Sequence, residues 1–429
     1  MFNRLFRLKE NHTSIKTELL AGLVSFFTIV YIIAVNASIL TDAGIPMGAG
    51  IVATILVAFA GSLLMGFWAN APMLLVPGMG INALFTYTVV QSMGLHWQEA
   101  LAAVFVSGIL FVIITFTSLS GIIANAIPDS LKESIGVGIG LFLAFIGLQK
   151  GGIVVKSKST FVQLGHFSDA HVLLMIATLV ITLILFARNV PGNLLIGIIA
   201  GTILSILFGE TDLHKLGQSG FSLNDYKPVF VGLSFKHVLT FPFWMAVFSL
   251  TLVTLFENIG LTHGFVKMIQ RPEKYDRSLQ ATALSVITCG LLGTSPSVAT
   301  VESASGITAG GRTGLTTITT GVLFLISLLF IPFIRIIPDT AIAPVLIIIG
   351  GLMISGTRNI NFNDFTEGFP AFLIIACIPL TSSIVDGIAL GFIAYPILKI
   401  ANGKAKNVAV TLYIIAALFL IYFIFQAFS

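Results

Sequence analysis

The chain has 429 residues, of which 56% are hydrophobic and only 9% are charged, and its mean hydropathy is +1.02. Soluble domains carry about 25% charged residues, so this composition excludes a soluble protein and predicts an all-α polytopic membrane protein. The formal net charge of +4 is spread over the loops, which fits a basic cytoplasmic side and argues against a nucleic-acid partner. Two cysteines, Cys289 and Cys377, make neither a disulfide framework nor a metal motif.

Apolar stretches long enough to cross a bilayer recur along the whole chain, since a helical span needs about 20 apolar residues. Region 366–400 is long enough for two short spans, with a break near Thr381–Ser383. Two further segments, 73–90 and 297–310, are apolar but irregular, which brings the total to about 14 segments, or 15 when region 366–400 counts as two. The regular spans are predicted at 15–40, 48–67, 97–117, 130–148, 170–187, 191–208, 241–265, 277–293, 311–331, 338–356 and 408–427.

Lysine and arginine residues orient the chain, because they concentrate on the cytoplasmic side of membrane proteins. The segment before the first span contains Arg4, Arg7, Lys9 and Lys16. We therefore place the N-terminus in the cytoplasm, and the basic loop 267–277, which follows the eighth span, on the same side. Loop 209–240 is the longest polar one and is expected outside. The basic N-terminus precedes a full-length span, so no cleaved signal peptide is predicted.

The two halves of the chain look related. An apolar run from Phe27 to Asn36 has a counterpart from Phe248 to Asn258, and segment 72–82 has one at 296–306, each roughly 220 residues later. Seven spans in each half would make the repeats inverted in the membrane. Paired interrupted segments of this kind are the best sequence indication of a transporter site.

Each interrupted segment is expected to contain a short extended piece followed by a half-helix. The extended pieces, Met73–Val76 and Ser297–Val301, could pair with each other and so satisfy backbone groups that lipid cannot. The half-helices would then bring their positive N-terminal dipole ends to the middle of the membrane. This arrangement suits a polar planar ligand or a carboxylate that binds one.

Two acidic residues lie deep within predicted membrane segments, where a charge is costly and marks a functional site by default. Glu302 lies in the irregular segment 293–314. We interpret it as a ligand-binding or proton-carrying carboxylate, rather than as a structural acid neutralised by a helix N-terminus or by Arg312. Glu257 lies in mid-span, and its short side chain cannot reach either basic loop. Burial and a second nearby acid both favour the protonated form of a carboxyl group, as proton coupling requires.

Other polar residues are weaker candidates. The amide of Asn82 can donate and accept at once, which suits the edge of a heterocycle, although a helix cap is the alternative. Asn36 and Asn258 are expected chiefly to bond between helices. His263, near the cytoplasmic end of its span, is a candidate proton relay, and Arg312 is interpreted as an interface anchor. We find no catalytic constellation and no metal-ligand spacing, so we expect neither an enzyme nor a cofactor.

Several motifs match those of one transporter family, and they are spread over nearly the whole chain. They are Glu18-Leu-Leu-Ala-Gly-Leu, Phe26-Phe-Thr, Tyr31, Asn36, Pro77-Gly-Met-Gly-Ile-Asn82-Ala, Thr294-Ser-Pro, Glu302-Ser-Ala-Ser-Gly, Gly310-Gly-Arg-Thr-Gly-Leu315, Ile378-Pro-Leu-Thr-Ser-Ser-Ile and Asp386-Gly-Ile-Ala-Leu-Gly391. In this combination the chain resembles the nucleobase–cation symporter-2 superfamily in its purine-permease branch.

The resemblance implies a fold of 14 spans in two inverted seven-span repeats. A core domain would comprise residues 1–118 and 241–331, and a gate domain residues 119–240 and 332–429. The resemblance also implies proton-coupled import of purine bases across the cytoplasmic membrane by alternating access. Relatives in the superfamily are often dimers, so a homodimer is a candidate assembly.

The binding groups of the family fall on Glu302, Glu257 and Asn82. The neighbouring residues of the two half-helix segments complete the predicted site. These are Met79, Gly80, Val301 and Ser303.

The eighth span departs from the purine branch, which usually has Asp-Thr-x-Gly-Thr where this chain has Glu257-Asn258-Ile-Gly260-Leu261. A glutamate there resembles the xanthine/uracil branch. Our first hypothesis is a hypoxanthine or guanine importer, with adenine as the alternative base, and our second is a xanthine or uracil carrier. A third is an anion carrier or channel that shares the fold; half-helix dipoles would suit an anion, but two acids argue against one.

Overall fold

The computed structural model of the chain describes residues 5–117, 119–211 and 226–428. Within these residues, nine helices are long and apolar enough to cross a membrane, and three shorter apolar helices accompany them. The predicted polytopic helical fold is confirmed. Arg4 and residues 212–225 of the predicted external loop lie outside the described residues.

The first half of the chain contains nine of the helices and three short strands. Helices α3 and α4 continue as π-helical turns over Met65–Ala69 and Leu84–Ser92. The elements are α1 (Ile15–Ile29), α2 (Ile32–Asp42), α3 (Met47–Leu64), β1 (Leu75–Pro77), α4 (Met79–Ala83), α5 (Trp97–Phe116), α6 (Leu119–Ala126), α7 (Asp129–Lys150), β2 (Val154–Ser157), β3 (Phe161–Leu164), α8 (Ala170–Ala187) and α9 (Asn193–Leu207).

The second half follows the same plan, and region 366–400 forms two helices as predicted, with Ser382 in the left-handed conformation at the break. The elements are α10 (Phe241–Met268), α11 (Tyr275–Leu292), β4 (Ser297–Ala299), α12 (Ser303–Thr308), α13 (Gly314–Ile326), α14 (Ile331–Arg335), α15 (Asp339–Met353), α16 (Phe365–Thr381), α17 (Ile384–Ala401) and α18 (Val410–Phe428).

Seven crossing segments can be counted in each half when a strand and its half-helix count as one. In the first half they are 15–42, 47–69, 75–92, 97–116, 129–150, 170–187 and 193–207; in the second they are 241–268, 275–292, 297–308, 314–335, 339–359, 365–381 and 384–401. Because seven is odd, the two halves enter the membrane from opposite sides. The last helix, α18, is additional; it packs on α17 and stacks Phe425 against Phe241 of α10.

The two interrupted segments meet where β1 and β4 pair antiparallel, with Leu75 opposite Ala299 and Pro77 opposite Ser297. Both strands are fully buried, so their backbone groups depend on this pairing and on nearby side chains. The predicted pairing of extended pieces is confirmed, at 75–77 and 297–299.

The first span differs from the single helix predicted at 15–40. It breaks between α1 and α2, where Ile33 and Ala34 donate backbone hydrogen bonds to carbonyls only three residues earlier, those of Val30 and Tyr31. This tighter turn is a local 3₁₀ geometry, which often marks a functional hinge. Neither Gly nor Pro lies at the break, so the sequence carried no signal for it.

Helix packing divides the described chain into two groups. Helices α1–α5 pack with α10–α13, and this half-helix bundle contains both interrupted segments. Helices α7–α9 pack with α15–α17 and form the flanking bundle. The two bundles touch through α4 and α7, among others.

Glu18, which is fully buried in α1, joins the two repeats within the half-helix bundle. Its carboxylate accepts hydrogen bonds from the backbone N–H of Arg312 (2.9 Å) and Thr316 (3.2 Å), and from the hydroxyls of Thr313 (2.8 Å) and Thr316 (2.6 Å). The acid therefore binds the N-terminus of α13, where a negative charge is favourable. It fixes the loop that leaves half-helix α12.

Substitution Glu18→Gln is expected to lower the free energy of unfolding by about 2 kcal/mol or more, because hydrogen bonds to a charged acceptor contribute about 1.5–3 kcal/mol each. Thermal unfolding of purified protein in detergent would measure the loss. Glu10→Gln is the control, since Glu10 is exposed and, among the described residues, its carboxylate pairs only with Arg7 at 3.8 Å. Equal thermal stability of the two variants would contradict the role given to Glu18.

Candidate functional site

A cavity of about 560 Å³ lies beside the crossing of the two interrupted segments. This volume is typical of a site for a small molecule. Its walls come from both bundles. The half-helix bundle contributes Tyr31, Met79, Gly80, Glu257, Val301 and Glu302, and the flanking bundle contributes Ile139 of α7 and Met353 of α15, among others.

Glu302 occupies the residue just before half-helix α12. Its carboxylate accepts a hydrogen bond from the hydroxyl of Tyr31 and is only half-buried, so it faces the cavity. Glu302 follows β4 closely in the chain and so lies beside the crossing of the interrupted segments. The first turn of α12 favours a negative charge at this position.

Glu257 lies in the middle of the long helix α10 and lines the same cavity. Its side chain is half-buried. Among the described residues, its carboxylate has neither a hydrogen-bond partner nor an ion-pair partner. Glu257 is therefore free to bind what enters the cavity. The structure thus brings the two predicted acids to one space.

Tyr31 is a cavity residue that the sequence reasoning did not assign to the site. It is only 2% exposed, yet it reaches Glu302 from the break between α1 and α2. A tyrosine inside a span carries no charge cost, so its position alone did not mark it. Its presence in the family motif was the available signal.

Three of the neighbouring predicted residues also reach the cavity. Met79 and Gly80 lie in the first turn of α4, and Val301 is 63% exposed on the opposite segment. A side chain at Gly80 would come within 2.7 Å of Ile139 in α7, so glycine lets the half-helix approach the flanking bundle closely.

Five other predicted residues lie outside the cavity wall: Ser303, Asn258, Asn36, Asn82 and Arg312. Ser303 and Asn258 hold the interrupted segments: Ser303 Oγ accepts from the N–H of Leu74 (2.9 Å), and Asn258 Oδ1 accepts from that of Ala299 (2.9 Å). These two anchor β1 and β4 from either side.

Asn36 and Asn82 are both fully buried. The amide of Asn36 donates to the hydroxyls of Thr54 (2.7 Å) and Thr294 (3.0 Å), which links helices of the two repeats. The amide of Asn82 has no hydrogen-bond partner among the described residues. Its binding role stays a prediction.

His263 and Arg312 have different surroundings. His263 is exposed and lines the cavity two turns beyond Glu257. Arg312 donates to the carbonyls of Ile307 (2.6 Å) and Gly311 (2.8 Å) and so caps the C-terminal end of α12. These bonds satisfy carbonyl groups that the helix itself leaves free, and the interpretation of Arg312 as an interface anchor stays a prediction.

The cavity continues into a second one of about 940 Å³, which shares Val301, Glu302 and Met353 with it. This extension is lined by 186–194, between α8 and α9, and by 352–359, after α15. Four crossings separate the N-terminus from α7, so the start of α7 and these loops lie on the N-terminal side of the membrane. The site opens to that side.

Residues 16–390 match the family model Xan_ur_permease, described as a permease family. The chain is 55% identical over 381 residues to the nucleobase transporter PlAzg2 of Paenibacillus larvae, covering 89% of this chain and 76% of the relative. It belongs to the nucleobase–cation symporter-2 family. This permease is also 40% identical to the guanine/hypoxanthine permease PbuO of Bacillus subtilis (97% and 99% covered) and 37% identical to the adenine permease AdeP of Escherichia coli (99% and 96%). These relatives are transport proteins rather than enzymes, as expected from the sequence.

Solved structures show that the fold of this permease is shared more widely. The transmembrane domain of a cyanobacterial bicarbonate transporter, BicA, matches with a TM-score of 0.65 at 16% identity, covering 88% of this chain and 97% of that one. The murine anion transporter Slc26a9, in an inward-facing state, matches with a TM-score of 0.67 at 12% identity, covering 90% and 68%. At these identities the likeness concerns the fold alone.

Substitution Tyr31→Phe in this permease is expected to raise the rate at which a hydrophobic carbodiimide modifies Glu302 by about tenfold, because the carboxyl group loses a hydrogen bond worth about 1.5 kcal/mol. Site-resolved mass spectrometry of the labelled protein would measure it. Tyr413→Phe is the control, since the Tyr413 hydroxyl donates to the carbonyl of Ala405 (3.1 Å), away from the cavity wall. An unchanged rate at Glu302 would show that Tyr31 does not hold that carboxyl group.

Proposed function

We propose that this permease imports purine nucleobases into the cytoplasm together with protons, with hypoxanthine and guanine as the preferred bases and adenine as the alternative. The observation that carries the proposal is the pair Glu257 and Glu302 on the walls of one cavity beside the crossing of the half-helices. The names of the relatives support the substrate class, since they are a nucleobase transporter, a guanine/hypoxanthine permease and an adenine permease.

The two acids suit the chemistry of a purine edge. Ring and exocyclic N–H groups of a purine donate hydrogen bonds, and carboxylates accept them in charge-assisted bonds, which are about twice as strong as neutral ones. Tyr31 holds Glu302 in place, while Glu257 has no competing partner among the described residues. The apolar side chains of Met79, Val301 and Met353 would cover the faces of the ring.

Proton coupling follows from the cost of moving charge through an enclosed site. A carboxylate without a cationic partner is unfavourable in a closed apolar cavity. A protonated carboxyl group would cross with the base and release its proton after the site opens inward. Glu257 is our choice for the coupling group, because it lacks the hydroxyl donor that Glu302 has.

Alternating access would come from motion between the bundles. We propose that the half-helix bundle is the core domain, with residues 1–118 and 241–331, and that the flanking bundle lies in the gate domain, with residues 119–240 and 332–429. With the N-terminus in the cytoplasm, the cavity as described opens inward. Rocking of the flanking bundle would close this side and open the other.

An anion is the alternative substrate from another class, because bicarbonate and anion transporters share the fold. Half-helix N-termini attract anions. The described cavity wall carries four acids, Asp129, Glu133, Glu257 and Glu302, which would repel an anion, and its single lysine or arginine, Lys132, is paired with Asp129 at 2.9 Å. We therefore favour the nucleobase.

Uptake of radiolabelled hypoxanthine and guanine is expected in transporter-deficient bacteria that produce this protein, with competition by unlabelled adenine. Xanthine and uracil are expected to compete at least about tenfold less well, a difference of about 1.4 kcal/mol. The reverse order would assign the second hypothesis, which Glu257 suggests. Uptake of bicarbonate or chloride without any purine uptake would contradict the proposed function.

Replacing Glu302 and replacing Glu257 by glutamine are expected to impair transport in different ways. Glu302→Gln should weaken base binding by about 100-fold or more, because the hydrogen-bonded anion that accepts from the base is lost. Glu257→Gln should retain exchange of labelled for unlabelled base but lose accumulation driven by a pH gradient. Both would be measured in proteoliposomes, with the exposed Glu273→Gln as control. Normal pH-driven accumulation by Glu257→Gln would refute its coupling role.

A further inference from the structure

An ion cluster joins the two bundles at the end of the molecule opposite the open cavity. The ammonium group of Lys150, the last residue of α7, lies 2.9 Å from Asp42 and 3.6 Å from Asp339. Asp42 ends α2, in the half-helix bundle, whereas Asp339 begins α15, in the flanking bundle. The Lys150–Asp42 bond therefore crosses from one bundle to the other.

Two further hydrogen bonds support the cluster, one within the half-helix bundle and one across the boundary. Tyr87 of the half-helix bundle donates to Asp42 (2.7 Å), and Ser38 donates to Asp339 of the flanking bundle (3.2 Å). The side chain of Lys150 is only 13% exposed. Below it, the ring of Phe142 in α7 packs edge-on against the ring of Tyr87 at 5.8 Å. The contact is thus partly desolvated, where an ion pair is stronger than on an open surface.

Four elements have the cavity at one end and this cluster at the other. In α7, Asp129 lines the cavity and Lys150 ends the helix, 22 residues in all. In α15 the order is reversed, with Asp339 in the cluster and Met353 at the cavity. Helix α2, which begins next to Tyr31, ends at Asp42, and the half-helix that begins at Met79 reaches Tyr87 about two turns later. The cluster therefore lies on the far side, at the other ends of elements that line the cavity.

We propose that Lys150, Asp42 and Asp339 form the outer gate of this permease and hold the far side closed while the cavity is open to the N-terminal side. The assignment rests on the proposed alternating access. Opening the far side separates Lys150 from Asp42, while Lys150 and Asp339 move together because both belong to the flanking bundle. Loss of the cross-bundle pair therefore shifts the population toward the state that is open on the far side.

Labelling of a reporter cysteine tests this gate without any substrate. In a background of Cys289→Ala and Cys377→Ala, the variant Val301→Cys places a thiol on the cavity wall. A membrane-impermeant maleimide is added to either face of oriented membrane vesicles, and the ratio of the two labelling rates is measured. Lys150→Met is expected to shift this ratio toward the far side by about fivefold or more, as a coupling between two states would.

A matched control is available within the flanking bundle. Lys399 is also buried and lies 2.7 Å from Glu367 and 3.8 Å from Asp364, but all three belong to α16, α17 or the residue before α16. Lys399→Met is expected to leave the ratio unchanged. Asp42→Asn should shift it as Lys150→Met does, and the exchanged pair Lys150→Asp with Asp42→Lys should restore it.

An unchanged ratio in both Lys150→Met and Asp42→Asn, or an equal shift in Lys399→Met, would overturn the outer gate. A folded but unresponsive Lys150→Met protein, verified by its thermal unfolding, counts against it as well. Absence of purine uptake together with the expected shift in labelling would contradict the proposed substrate while leaving the gate in place.

Discussion

The pairing of β1 with β4 is the contact on which the rest of this structure depends. An interrupted span exposes backbone N–H and C=O groups at a depth where lipid offers no partner, and each unsatisfied group costs several kcal/mol. The two interruptions meet and satisfy each other, with Leu75 opposite Ala299. Since one interruption comes from each repeat, neither half can form its site alone. Both repeats are therefore required to form the crossing of the two interrupted segments.

Many buried polar side chains of the half-helix bundle complete this backbone pairing. Asn258 and Ser303 hold Ala299 and Leu74, and Thr317 donates to the carbonyl of Ala71 at 2.8 Å. Glu18 performs the same task for the loop after α12. With so many polar groups engaged in this way, Glu257 and Glu302 stand out because they face open space. This difference is the reason for proposing that these two acids bind the substrate rather than hold the fold.

The free-energy cost of placing a charge in a membrane explains which residues of the site could be predicted from the sequence. Glu257 and Glu302 were found from sequence because an acid within a span is unfavourable unless it has a purpose, and the interrupted segments were found from Gly and Pro. Tyr31 was not, since a tyrosine is inexpensive in a span and no Gly or Pro marks the break beside it. Sequence alone also could not separate Ser303, which binds backbone, from Val301, which faces the cavity. The two residues are two positions apart on one segment, and their side chains point in different directions.

The geometry of α7 links the two ends of the molecule. A straight helix of 22 residues is about 33 Å long, and it carries cavity residues on its first turns and Lys150 on its last. If such a helix tilts about its middle, where Ile139 touches Gly80, the ends move in opposite directions. Narrowing the cavity mouth then draws Lys150 away from Asp42. Glycine at position 80 allows α4 and α7 to meet at this point without an intervening side chain. The contact between Gly80 and Ile139 also lies on the cavity wall. It can therefore act as the pivot of a motion that opens and closes the cavity.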